Sequence, residues 1–194
     1  MRLSARSSLG AAAAVVAGAL RADGIAAVLT GGACAAIYTK GTYHSRDLDF
    51  IVVGPVTQAG IDSAMASVGF KRRHDRYFHS RTRFYVEFPR GPLAVGGEYR
   101  IHPISRSTPH GRISMLSPTD SCRDRLAAFY HWDDRQSMTV AAWIAIRNRV
   151  NVRALSRWSA AERMTERFEE FLAEIRRVRR RAAGQGERPS RSRR

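Results

Sequence analysis

Asp47 and Asp49 open an apolar run, Asp47-Leu48-Asp49-Phe50-Ile51-Val52-Val53, with a single residue between them. Side chains on a strand alternate between faces, so the two aspartates share one face and Leu48 and Phe50 the other. Two carboxylates side by side repel each other unless a cation lies between them. Hard oxygen donors of this kind suit Mg²⁺ or Mn²⁺, which commonly bridge protein carboxylates and substrate phosphates. Upstream, Gly31-Gly32 ends another apolar run and precedes a helical stretch from Ala33. Free backbone N–H groups at the positive end of a helix dipole form a phosphate site. A cation beside a phosphate site is the apparatus of phosphoryl or nucleotidyl transfer.

A third carboxylate lies in Phe84-Tyr85-Val86-Glu87-Phe88. Its alternation puts Phe84, Val86 and Phe88 on one face and Tyr85 and Glu87 on the other. If this strand lies beside the one carrying Asp47 and Asp49, Glu87 joins them. Three carboxylates can hold two metals around an in-line displacement or take the proton of an incoming hydroxyl.

The pattern Gly31-Gly32-Ala33-x-Ala35-x-x-Tyr38-x-x-Gly41 … Ser45-x-Asp47-x-Asp49 resembles the nucleotidyltransferase superfamily related to DNA polymerase β. Within it, the chain is most similar to the small bacterial and archaeal branch that includes AbiEii-type toxins. The segment Ser117-Pro118-Thr119-Asp120 … Asp124-Arg125-Leu126 … Asp133-Asp134-Arg135-Gln136 resembles the C-terminal part of that branch. The resemblance implies a mixed sheet with the glycines at a helix N-terminus. It makes Asp47, Asp49 and Glu87 the catalytic and Mg²⁺ (or Mn²⁺) ligands, and puts Gly31 and Gly32 on the triphosphate of an NTP. Many members carry serine where this chain has Gly32, which offers only its backbone. Lys40, Ser45 and Arg46, just before the acidic pair, are further phosphate contacts. So is Arg123 on the later helix, with Arg125 nearby as another cation.

These residues must be positioned by a particular set of elements. The sequence predicts helices over 7–22, 33–39 and 57–68, with strands over 25–30 and 48–53 between them. A β-rich middle follows, with strands over 70–73, 77–80, 84–88 and 99–104. The last third reads as helices over 117–132, 135–149 and 159–181. The fold class is α/β of the α+β kind: a mixed sheet flanked by helices, with a C-terminal helical part. The division expected is a catalytic core over 1–113, a helical region over 114–183 and a disordered basic tail over 184–194.

Charge points to the partners. The chain carries 33 Lys and Arg against 17 Asp and Glu, a net of +16 over 194 residues. Half of that excess lies after Ile175, and a second cluster is Lys71-Arg72-Arg73-His74-Asp75-Arg76. Such a field favours polyanions, and among acceptors it favours RNA, a tRNA 3′ end included. A cognate antitoxin protein is the other partner the resemblance implies. Arg2 and Arg6 precede an alanine-rich run that looks like a signal peptide, but the run is too short to span a bilayer. It reads as a packing helix, with Leu9, Val16 and Leu20 on one face. The chain is read as cytoplasmic, without a membrane partner, with Cys34 and Cys122 as buried thiols. The competing reading is a non-catalytic protein of the same fold that binds nucleic acid or a toxin–antitoxin partner.

Overall fold

Seven helices and a single seven-stranded sheet account for the secondary structure in the computed structural model, which describes residues 3–186. In chain order they are α1 (Leu9–Ala22), β1 (Ala27–Leu29), α2 (Gly31–Tyr38), β2 (Asp47–Val52), α3 (Gln58–Ser67), β3 (Phe70–Arg73), β4 (Arg76–His79), β5 (Tyr85–Glu87), β6 (Ile104–Thr108), β7 (Gly111–Met115), α4 (Pro118–Trp132), α5 (Arg135–Arg147), α6 (Val152–Ala161) and α7 (Thr165–Gly186). The sheet order is β3-β4-β5-β2-β1-β7-β6. β2 pairs in parallel with β5 and β1 in parallel with β7, and the other four pairings are antiparallel. The α+β class expected from the sequence is the one observed.

The core follows from the alternation of the strands. Leu48 and Phe50 of β2, Val86 of β5, Tyr77 of β4 and Phe70 of β3 are all buried. Helix α1 packs against β7 and α3, and α3 against β3. Ser8 and Thr57 cap α1 and α3, with side-chain oxygens accepting from the N–H groups of Ala11 and Gly60. Helices α4 to α7 pack on one another, and α4 and α5 dock against α2.

Several expectations change. The strand expected over 99–104 is absent: Tyr99 is 67% exposed, and only an isolated bridge joins Val95 to Glu98. The hairpin β6–β7 takes its place. β7 pairs with β1 on one side and β6 on the other, so a core boundary at residue 113 would cut an internal strand of the sheet. The single helix expected over 159–181 is two, α6 and α7, broken where Arg163 adopts φ +61°. Helix α7 continues through Gly186, and the rest of the expected tail, 187–194, lies outside the described residues. No helix among the described residues is long and apolar enough to cross a membrane.

Candidate active site

The strand pairing that the site needs is present. β2 and β5 run in parallel, with Asp47 opposite Tyr85, Leu48 opposite Val86 and Asp49 opposite Glu87. Leu48 and Val86 point into the core, so Asp47, Asp49 and Glu87 lie together on the other face, each half-buried. The hydrophobic alternation thus selects the register, because a slip of one residue would bury the acids and expose Leu48 and Phe50.

The helix N-terminus meets this face directly. Gly31 adopts φ +60°, and a Cβ there would overlap the Asp49 carboxylate. A Cβ on Gly32 would meet Ser45 Oγ at 2.9 Å and the Tyr43 hydroxyl at 3.3 Å. Helices α1, α3, α4, α5 and α6 each have an N-cap side chain bonded to the first turn, from Ser8, Thr57, Ser117, Asp134 and Asn151. Helix α2 does not. Its N-cap residue Thr30 instead turns onto β2, where its N–H donates to the Asp49 carbonyl at 2.9 Å and its hydroxyl lies 3.3 Å from the same oxygen. The first turn of α2 therefore has no side-chain cap and faces the acids, an arrangement that favours an anion.

Burial first, and like charges second, set the electrostatics of the site. Burial pushes the Asp49 carboxyl up to about 7, with Asp47, Glu87 and Asp124 adding repulsion and Arg125 opposing it. Asp47 accepts a hydrogen bond from the Ser45 hydroxyl. Glu87 forms an ion pair with Arg76 at 2.6 Å. Among the described residues, no three His, Cys, Asp or Glu side chains converge tightly enough to hold a metal ion. The expected triad is therefore a set of strand neighbours rather than a preformed cage, because Arg76 has drawn the Glu87 carboxylate to itself. The aspartate pair fits a hard divalent cation better: its donors are carboxylate oxygens, and a cation would relieve the repulsion that adds to burial in raising Asp49.

The remaining residues separate. Ser45 and Lys40 line one cavity of about 310 Å³ with Tyr43, His44, Arg83 and Phe84. Lys40 follows the C-terminal end of α2, opposite the glycine end. Arg46 is exposed next to Asp47, and its carbonyl accepts from Tyr85 N–H at 3.1 Å. Arg123 is a correction. It is paired with Asp120 at 2.6 Å and lines a different cavity, with Arg157, Trp158 and Glu162. Positions two apart on a helix face apart, so when Arg125 turns toward the acids Arg123 turns away.

Arg125 is the cation that α4 presents to the site, although Arg123 was expected there. Its Nε and Nη2 hold Asp124 Oδ2 at 2.9 and 2.7 Å, and its charge is felt by Tyr43 and Asp49. Its Nη1 reaches Ser137 Oγ at 3.5 Å, and that hydroxyl donates to Asp134 Oδ2 at 2.7 Å. Asp134 in turn caps α5 by accepting from the Ser137 N–H at 3.0 Å. The sequence offered Arg125, Asp124 and Tyr43 only through their place near the motifs, and the docking of α4 and α5 onto α2 decides among them. Arg123→Ala is accordingly expected to leave any thermal shift on addition of Mg²⁺ and NTP at its wild-type size. Arg125→Ala should remove most of it and lower the Tm as well, since Asp124 is left half-buried without its partner. Differential scanning fluorimetry of both variants measures this.

A seven-stranded α+β fold with a glycine turn abutting a strand-borne acidic pair is the class of site that geometry defines. No family model, no curated protein and no solved structure matches the chain.

Proposed function

We propose that the protein is a divalent-metal-dependent nucleotidyltransferase that moves a nucleoside monophosphate from an NTP to a hydroxyl and releases pyrophosphate. The observation that carries this reading is the contact between Gly31, at the uncapped start of α2, and Asp49, beside Asp47 and Glu87. The resemblance of the same motifs to the DNA polymerase β-related superfamily points the same way, though it rests on the same residues. Asp47 and Asp49 would hold Mg²⁺ or Mn²⁺, which when bound supplies charge neutralisation at the phosphates. The N–H groups of Gly31 and Gly32 bind triphosphate oxygens, and Arg125 adds positive charge from α4. Glu87 accepts the proton as the acceptor oxygen bonds to the α-phosphorus and the bond to the pyrophosphate oxygen breaks. Catalysis is then mostly positioning and charge stabilisation, as phosphoryl-type transfer requires. The basic composition favours RNA, tRNA among it, as acceptor, and an enzyme of this kind works in the cytoplasm.

The test is label transfer from each of the four α-³²P-NTPs to total tRNA, with and without Mg²⁺. Labelled RNA and free pyrophosphate that both require the metal are the expected result. A non-catalytic protein of the same fold, serving nucleic acid or a toxin–antitoxin partner, is the second reading, and the Arg76–Glu87 ion pair favours it by occupying the third carboxylate. That protein would bind without any metal requirement and release no pyrophosphate.

A further inference from the structure

The half of the sheet that bears the acids continues outward as an open face. Residues paired across a ladder project to the same side. The register links Asp47 to Tyr85, Tyr85 to Phe78 and Phe78 to Lys71. One step along, it links Asp49 to Glu87, Glu87 to Arg76 and Arg76 to Arg73. The acidic pair is thus the end of two cross-strand rows. One runs through two aromatic rings to a lysine, and the other through Glu87 to two arginines.

The opposite side of the same strands is closed. Phe70, Tyr77 and Val86 are buried there, and α3 covers it through Asp62, which meets the Tyr77 hydroxyl at 2.5 Å and Arg72 at 3.7 Å. Arg72 alternates with Lys71 and Arg73, so its engagement with α3 leaves those two on the open side. Lys71, Arg73 and Arg76 are exposed, and Phe78 is 37% exposed. The Phe78 and Tyr85 rings lie 5.7 Å apart, and the Arg76 guanidinium sits 5.2 Å from the centre of Tyr85.

We propose that this face binds a single-stranded polynucleotide. Bases stack on Phe78 and Tyr85, phosphates run along Lys71 and Arg73, Arg76 stays paired with Glu87 beside the Tyr85 ring, and the strand's end arrives at Asp47 and Asp49. The delivery of a hydroxyl rests on the nucleotidyltransferase reading above, whereas the binding itself does not. Neighbouring strands are about 4.8 Å apart, so the row from Lys71 to Asp47 spans about 14 Å, a length suited to a few nucleotides. Phe78 is exposed and Tyr85 half-buried, and solvent-facing rings beside cations are the usual platform for unpaired bases, which present their flat faces as a duplex does not. An acidic protein would use the cations but leave the paired rings without a role.

The test uses the full chain and fluorescein-labelled short oligonucleotides of one mixed sequence, as single-stranded RNA, single-stranded DNA and duplex. Fluorescence anisotropy gives the affinities. Phe78→Ala is expected to weaken single-strand binding roughly tenfold or more. The double variant Lys71→Glu, Arg73→Glu should weaken it and flatten its salt dependence. The arginines of the C-terminal segment are kept in every variant, so any loss is read above their contribution. Comparison of the RNA and DNA arms shows which sugar the face prefers. Wild-type affinity in both variants, as an acidic-protein surface would give, overturns the proposal, and so does a preference for duplex. A thermal shift with Mg²⁺ and mixed NTPs serves as the separate readout. If it persists while the oligonucleotide contrast is absent, only the platform fails. If it is absent in the wild type, the nucleotidyltransferase reading fails and the binding contrast still decides the platform.

Discussion

Asp49→Asn is expected to cut Mg²⁺-dependent nucleotide transfer by at least about 10³-fold and, in the metal-free protein, to raise stability at neutral pH. The first effect follows from its proposed role. A cation at a transferring phosphate contributes several kcal/mol of charge stabilisation, and an amide is a poor substitute ligand for it. The second follows from the electrostatics. Asp49 is held up to about 7 by burial and by Asp47, Glu87 and Asp124, while an unfolded aspartate ionises near 3.8. Between those two values the folded state binds the extra proton, so its stability falls as the pH rises and the loss is complete above about 7. Discounted for partial exposure, that loss is on the order of 2 kcal/mol, or about 5 °C in Tm for a chain of this size. The wild-type Tm without metal should therefore drop between about pH 4 and 7, and the asparagine variant should flatten that slope. Mg²⁺ competes with the same proton, so its affinity should rise over the same range. Thermal melts across pH, with EDTA and with Mg²⁺, measure all three. A variant that transfers at the wild-type rate would remove Asp49 from the mechanism, whatever its stability.

That trade between stability and activity explains why the acidic pair was so visible in the sequence. Nothing in the core needs Asp47 or Asp49, so their position in an otherwise apolar strand is a signal of chemistry. The partner strand was legible for the same reason: Val86 alternates with Tyr85 and Glu87 as Leu48 does with Asp47 and Asp49, and burial of the apolar set fixes the register. The hairpin of β6 and β7 carried a weaker signal. Ile104-Ser105-Arg106-Ser107-Thr108 is polar at an edge, with no residue of β6 buried, so periodicity has little to report. The break between α6 and α7 lies where Arg163 takes φ +61°, a left-handed conformation that arginine does not announce in sequence, and Glu162 beside it accepts from the distant Gly97 N–H at 2.6 Å. Arg123 and Arg125 differ only in which way the helix presents them, and that rotation is set by the docking of α4 on α2. Local propensity cannot supply it.

Gly31→Ala is the second large effect, and its contrast with Gly32→Ala isolates the glycine turn. At Gly31 two penalties coincide. The backbone lies in the left-handed region at φ +60°, which costs an alanine roughly 1–2 kcal/mol. The added methyl would also occupy the place of the Asp49 carboxylate, which must move away from Asp47 and from the start of α2. The expected outcome is a Tm lower by several degrees, together with loss of the Mg²⁺-dependent shift with NTP and of label transfer. At Gly32 the nearest atom is the Ser45 hydroxyl at 2.9 Å, the end of a short rotatable side chain, and φ is ordinary. A rotation of Ser45 relieves that contact and leaves the acids in place, at the expense of its hydrogen bond to Asp47. Gly32→Ala is therefore expected to melt near the wild type and to retain transfer reduced by about tenfold. Adding Ser45→Ala to Gly32→Ala removes the clash and should restore part of the NTP-induced shift. The same addition to Gly31→Ala should restore nothing, because there the obstruction is the Asp49 carboxylate, to which the proposed mechanism gives the metal.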